Sequence, residues 1–383
     1  MIRISILFLI IFLVFSGCTG SVAEPKISTQ IVGEWESEDV ISGGTIGEID
    51  GNMYLFLMTI PGPMPFQPVL HVLDLHDPLA PVEVASLEAP VSVLFPLSKL
   101  ILSGTILYVP VVGSEVGGLW SVDVSDPTSP REISLLDAEY PAIGLVLSGK
   151  VACIQGFPYW GFILVDISDS VQPRQVGEFR LSREQDFISH SGGIDVSGSM
   201  LYMVDRDGLD IVDISSPYSP REVGFYANPL WTGEEPLGGE SLQGITIIEE
   251  ILEIKDLLPA GFQDVAVSGE YAYIPDSKVG LRVLDVSNPA SPQEAAQLDI
   301  PEAVHHVTVS NNLLYLLGME LVDRSILHTI HIVDISEPES PVIVDSIEDI
   351  AGMPPYQFLV AAGRYIYFGN LNSVLAIDIY TSS

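Results

Sequence analysis

Along most of this chain, apolar and polar residues alternate in short runs, and each run is cut by a cluster of Ser, Pro, Asn, Asp or Gly. Residues 209–224, LDIVDISSPYSPREVG, show the unit. An alternating run ends on an aspartate, a serine–proline turn follows, and a second short run begins. A period of two bounded by turn residues is the mark of a β-strand. The unit recurs as HVLDLHDPLAPVEVASL from His71, WSVDVSDPTSPREISLL from Trp120, ILVDISDSVQPRQVGEF from Ile163, RVLDVSNPASPQEAAQL from Arg282 and HIVDISEPESPVIVDSI from His331. A shortened copy, LAIDIY, begins at Leu375. Seven aspartates mark the copies: Asp74, Asp123, Asp166, Asp213, Asp285, Asp334 and Asp378.

Each copy holds four strand-like segments. In the fifth they are residues 263–269 (QDVAVSG), 271–275 (YAYIP), 281–286 (LRVLDV) and 294–298. The aspartates are spaced by 49, 43, 47, 72, 49 and 44 residues, about one propeller blade each. The expected fold is therefore all-β: a seven-bladed β-propeller of four-stranded antiparallel blades. The last copy stops after its third strand. Near the N-terminus, QIVGEW within residues 29–37 parallels RQVGEF at 174–179 and REVGFY at 221–226. This segment is expected to supply the missing outer strand, close the ring and cover an exposed edge.

The signature I/L-V-D-I/V-S-x-P-x-x-P resembles the LVIVD repeat family of prokaryotic surface proteins, which look like β-propellers. The resemblance covers nearly all of the chain after about residue 27. It implies the fold and a cell-surface location, and little about activity.

Charge narrows the partners. The 383 residues carry 51 acidic and 15 basic side chains, a net charge of −36. Few Lys and Arg argue against nucleic acid, whose phosphates need a basic footprint, and against anionic lipid head groups. An acidic shell suits solubility, a salty exterior or divalent cations. At the N-terminus, Arg3 precedes an apolar stretch over residues 4–15, too short to span a bilayer comfortably. FSGC at 15–18 resembles the lipobox of prokaryotic lipoproteins, with Phe15 where leucine is usual. That resemblance implies a lipid on Cys18 and a cell-envelope location; an ordinary cleavable signal or an uncleaved anchor are the alternatives. The expected organisation is a signal over 1–18, a linker over 19–27 and a propeller over 28–383 with an insertion at 227–261. Cys153, in the run VACIQ, is then left without a disulfide partner and is expected in the core.

The repeated aspartates read two ways, as a carboxylate ring for cations or as acceptors for backbone N–H groups of their own turns. Their presence in every copy favours the second. Functional residues are sought instead where copies differ. Loops at 61–68, 112–118, 156–161 and 319–328, with the insertion at 227–261, are expected on one face. Tyr159, Trp160 and Trp231 are candidate binding aromatics there, or blade-edge core. Within the insertion, TIIEEILEIKDLL at 246–258 has a helical apolar stripe, a Thr246/Glu249 capping box and Pro259 as a stop, and is expected as a short helix over the propeller's face or rim, with a strand as the alternative.

No nucleophile elbow, phosphate loop, HExxH or dinucleotide fingerprint occurs. DRDGLD at 205–210 shares features with a calcium loop but is short, lacks the remote glutamate and falls where a hairpin turn is needed. No cofactor is expected; calcium is the one left open. Stacking the first strands on their terminal glycine brings Lys99, Gln263, Asp264, His305, His306 and Gln357 to the mouth of the central channel. They form a candidate binding site, with strand-end capping as the bland alternative. His305 and His306 are adjacent on a strand and point to opposite faces, which argues against one metal using both. The expectation is a monomeric binding or scaffold module for an envelope protein or a glycan. A hydrolase or lyase using Asp264 or His306, or a cation-stabilised structural protein, are the alternatives.

Overall fold

The computed structural model describes residues 26–61, 67–91, 99–112, 117–138, 142–156, 161–181, 192–230, 261–322, 325–351, 357–370 and 372–382. The expected helix at 246–258 lies outside them. Among the described residues there are 28 strands in seven four-stranded antiparallel sheets. Six sheets are consecutive meanders: residues 40–88, 101–137, 142–180, 194–227, 266–299 and 303–351 form blades 1 to 6. Blade 7 takes its inner three strands from Gln357–Ala362, Tyr365–Asn370 and Ser373–Ser382, and its outer strand from Lys26–Glu36. Lys26 pairs with Ser382 and Glu36 with Ser373, so the N-terminal segment closes the ring as expected, three residues earlier than read. The inner strands touch in ring order, and blade 1 meets blade 7.

The core explains why the strands read as nearly continuous apolar runs. Seven main apolar clusters exist, and each fills the space between two neighbouring blades. A strand in a blade is buried on both faces, and alternate residues serve opposite neighbours. In blade 5, Tyr271 and Tyr273 pack towards blade 6, whereas Ala272 and Ile274 pack towards blade 4. Cys153 lies fully buried between blades 3 and 4, where burial pushes its thiol up to about 12.

The outer strand carries the device that joins blades. In all seven blades the register between third and outer strands shifts at the same place, and blade 6 has a second shift between His328 and Ile330. The extra residue is Val84, Ile133, Val176, Val223, Ala295, Val344 or Val32, and such a bulge adds local twist. The next residue faces the turn of the following blade. At Gly33, Gly177 and Gly224 a Cβ would fall on the carbonyl oxygens of Leu79, Pro217 and Pro289 respectively. In blade 2 the same place holds Ser134, whose hydroxyl donates to Ser170 O at 2.8 Å. The Val-Gly pair in QIVGEW, RQVGEF and REVGFY is thus a docking notch for the neighbour's serine–proline turn.

One loop reading is corrected. Residues 319–328 of blade 6 were expected as a long loop, but the hairpin strands run on through them, as Leu313–Val322 and Ser325–Asp334. Ten successive residue pairs hold the two strands together, from Leu313 with Asp334 to Val322 with Ser325.

Candidate functional site

The repeated aspartates have the capping role. Oδ1 of Asp74, Asp123, Asp166, Asp213, Asp285 and Asp334 accepts the N–H two residues on, at 2.7–3.0 Å. Arg131, Arg174 and Arg221 add ion pairs to Asp123, Asp166 and Asp213. Asp378 has no such turn, and Arg364 pairs with it instead. Hydrogen bonds from Ser168, then the Arg174 pair, hold the Asp166 carboxyl down at about 2. In DRDGLD, Asp205 Oδ1 accepts N–H bonds from Asp207 (2.8 Å) and Gly208 (2.9 Å), the expected hairpin turn. Among the described residues, no group of three or more His, Cys, Asp or Glu side chains is arranged to hold a metal ion.

At the channel mouth, four ionisable side chains tie the inner strands to one another. Lys99 lies beside Gly44 of blade 1 and donates to Ile194 O of blade 4 at 3.1 Å. Asp264 of blade 5 accepts N–H bonds from Val265 at 2.9 Å and from Val307 of blade 6 at 3.2 Å. Its Oδ2 lies 2.6 Å from His306 Nδ1. Gly193 makes room for it: a Cβ there would fall on Asp264 Oδ1. Burial raises the Asp264 carboxyl, but His306, Lys99 and the Val265 N–H outweigh burial and leave it below its ordinary value. The His306 side chain is 35% exposed.

Asp195 completes this group and was missed from sequence. It accepts Val267 N–H from blade 5 at 2.7 Å and its own neighbour Val196 N–H at 2.8 Å. Burial pushes its carboxyl up; Lys99 and the N–H groups oppose that, and the Asp264 charge adds to it. Asp195 stands three residues before the terminal glycine of its strand, deeper than the positions where polar residues were sought.

The other expected residues part company. Gln263 donates to Gly261 O at 3.3 Å, and its carbonyl accepts Gly193 N–H. The inner strand of blade 6 shifts register between Val304 and His306. His306 meets Asp264, whereas His305 lies against His328, with ring centroids 6.0 Å apart. The two histidines therefore serve different partners, in keeping with their alternation. Gln357 opens the inner strand of blade 7 opposite Asn370. Tyr159, Trp160, Trp231 and Cys18 lie outside the described residues.

A second polar layer also escaped notice. The residue three before each repeat aspartate faces the preceding blade. In blades 1, 5 and 6 it is His71, Arg282 and His331. Arg282 is 1% exposed and bonds Asp276 and Glu294, each at 2.6 Å, while Tyr226 of blade 4 donates to Glu294 at 2.9 Å. His331 lies 3.3 Å from Glu302, and His71 packs on Trp35 of the closing strand. A small apolar hollow lies on the loop-bearing face between blades 2 and 3, far from these groups, lined by Ala138, Ile154 and Phe162 among others.

The LVIVD repeat matches residues 98–137, 189–228, 262–299 and 328–349. The first three stretches each cover one blade, and the fourth covers the third and outer strands of blade 6. The chain carries LVIVD repeats on a β-propeller fold. No curated protein matches this LVIVD-repeat chain in sequence. Among solved structures it is similar to a hypothetical selenium-binding protein from Sulfolobus tokodaii, with 13% identity and a TM-score of 0.59 over 88% of this chain and 83% of that one. A protein from Lactobacillus plantarum gives 8% and 0.57, over 82% and 86%. The periplasmic gluconolactonase of Pseudomonas aeruginosa gives 10% and 0.56, over 81% and 88%. At such identities the likeness is one of fold.

Proposed function

We propose that this propeller is an extracytoplasmic, lipid-anchored binding module that holds an envelope protein or a glycan through its loop-bearing face. The observation that carries the reading is how the channel-mouth charges are used. Lys99, Asp195 and Asp264 each bond the backbone of another blade, so their first task is to lock the inner strands. Recognition then falls to the irregular connections on the same face, where the copies differ. The anchor is Cys18, the propeller is a monomer, and no cofactor is required. The test is a pull-down from envelope extract with residues 27–383 as bait, beside a folded variant whose residues 227–261 are replaced by a short Gly/Ser linker. A partner held by the first and lost by the second is the expected result. Equal capture by both baits sinks the assignment to this face.

One observation favours a second reading, acid–base chemistry at the channel mouth. Asp264 lies 2.6 Å from Nδ1 of His306, whose side chain is 35% exposed, the pairing a general base needs. Glycan hydrolysis by the wild type, lost in His306→Gln while folding is kept, would establish it.

A further inference from the structure

The turn-bearing end of the ring carries exposed apolar side chains that the repeat does not require. Nine large apolar side chains are exposed among the described residues. Six of them, Leu79, Val82, Val171, Tyr218, Val342 and Tyr380, stand at the end that carries the serine–proline turns. Leu79, Val171 and Tyr218 occupy equivalent turn positions in blades 1, 3 and 4 and are 44%, 60% and 71% exposed. Turn tips facing water are ordinarily polar, so apolar residues repeated at these equivalent tips mark a contact surface. Val82 and Val342 begin outer strands opposite Asp74 and Asp334, on the same rim.

The closing strand says what that surface meets. Blade 7 differs from the others because its third strand does not turn at the repeat aspartate. It continues from Asp378 to Ser382, paired with Lys26–Gln30. This ribbon, with Tyr380 on it, projects from the turn-bearing end, and the chain enters the ring at its tip. Cys18 is eight residues before Lys26, a reach of about 28 Å at most. A seven-residue blade strand is itself about 24 Å long. A tether from Cys18 therefore reaches the turn-bearing end with slack but has nothing left after climbing the blade to the other face.

We propose that the turn-bearing end rests on the bilayer into which Cys18 is anchored, with Leu79, Val171, Tyr218 and Tyr380 as its contacts. The loop-bearing face then points away from the membrane. The proposal rests on the reading of Cys18 as the anchor and adds the orientation. The same end carries the repeat aspartates, several of them held ionised by their caps. Its partner is therefore a bilayer with neutral head groups, since an anionic surface would repel it at low salt.

The test imposes the tether, so that orientation and anchoring are judged separately. Residues 19–383 with an N-terminal hexahistidine tag are bound to phosphatidylcholine vesicles containing a nickel-chelating lipid. A dye is placed by Ala290→Cys at the turn-bearing end or by Glu320→Cys at the loop-bearing end; Cys153 is buried and does not compete. Head-group spin-labelled lipid should quench the dye at 290 several-fold more than the dye at 320. Equal or reversed quenching overturns the orientation. Replacing Leu79, Val171, Tyr218 and Tyr380 by Ser should at least halve the quenching at 290; unchanged quenching overturns their role as contacts. Mass analysis of the chain expressed with its own signal tests the lipid on Cys18 independently.

Discussion

His328 is fully buried in blade 6, and burial pulls its imidazole down to about 4. The unfolded chain takes up that proton near pH 6.5, so it binds more protons than the native state between these values. Stability from the neutral ring is thus complete above pH 6.5 and is lost as pH falls towards 4. The loss is about 3 kcal/mol at the lower limit. Urea unfolding from pH 7 to 4.5 should show this slope in the wild type and a flatter one in His328→Leu. Asp166 titrates lower. Its carboxyl is held down to about 2, so its contribution is present above about pH 4 and disappears as pH falls through 2. Asp166→Asn keeps an acceptor for the Ser168 N–H but loses the charge. The gap in melting temperature between it and the wild type should be open at pH 5 and closed near pH 2. The sequence signalled Asp166 plainly, because repetition in every copy pointed to a local task. It did not signal His328, whose burial comes from blade 7 packing across it, with Phe368 6.4 Å from its ring.

Between elements, the joint that matters is a turn set into a notch. Gly224 of blade 4 receives the Pro289 carbonyl of blade 5, and a methyl there has backbone in its way. Gly224→Ala should cost about 1–3 kcal/mol, the range for forcing extra volume into a packed contact. Gly149 gives the control. It has φ +58 with open space around it, so Gly149→Ala carries only the backbone cost, about 1 kcal/mol. Denaturant midpoints that rank the two the other way would refute the notch. A chain starting at residue 38 lacks the outer strand of blade 7 and bares the edge of Ser373–Ser382; it should aggregate or elute as mixed oligomers in size exclusion with light scattering. Strands and closure were legible because alternation and turn residues are local signals. The notch was visible as a recurring Val-Gly, but its meaning needs the neighbouring blade. The hairpin at 319–328 was misread because its charged residues look like loop, while four cross-strand pairs, from Met319 with His328 to Val322 with Ser325, hold it extended. Lys99, Asp264 and His306 came from stacking equivalent positions. Asp195 was passed over because most copies, with Ile101, Val146, Ala266 and Val360, carry an apolar residue at its depth in the strand.

At the scale of the whole ring, apolar contacts act only between neighbouring blades, whereas charge acts across all of them. Each interface between neighbouring blades, the closure between blades 7 and 1 included, holds its own apolar cluster. A net charge of −36 works against any compact shape, and the basic side chains that might offset it are largely committed. Arg131, Arg174, Arg221 and Arg364 each serve a repeat aspartate, and Arg282 serves the buried Asp276 and the more exposed Glu294. Much of the remaining carboxylate charge faces water and repels over distances set by salt. The screening length falls from about 30 Å at 0.01 M ionic strength to about 3 Å at 1 M. The melting temperature should therefore climb steadily with sodium chloride over that range and level off once the screening length is shorter than the spacing between blades. Calcium or magnesium chloride at matched ionic strength should follow the same curve, because the repeat carboxylates already accept N–H bonds from their own turns. A curve for calcium that rises well above the sodium one would mean that some carboxylates bind the ion itself, and would make this ring one that a divalent cation completes.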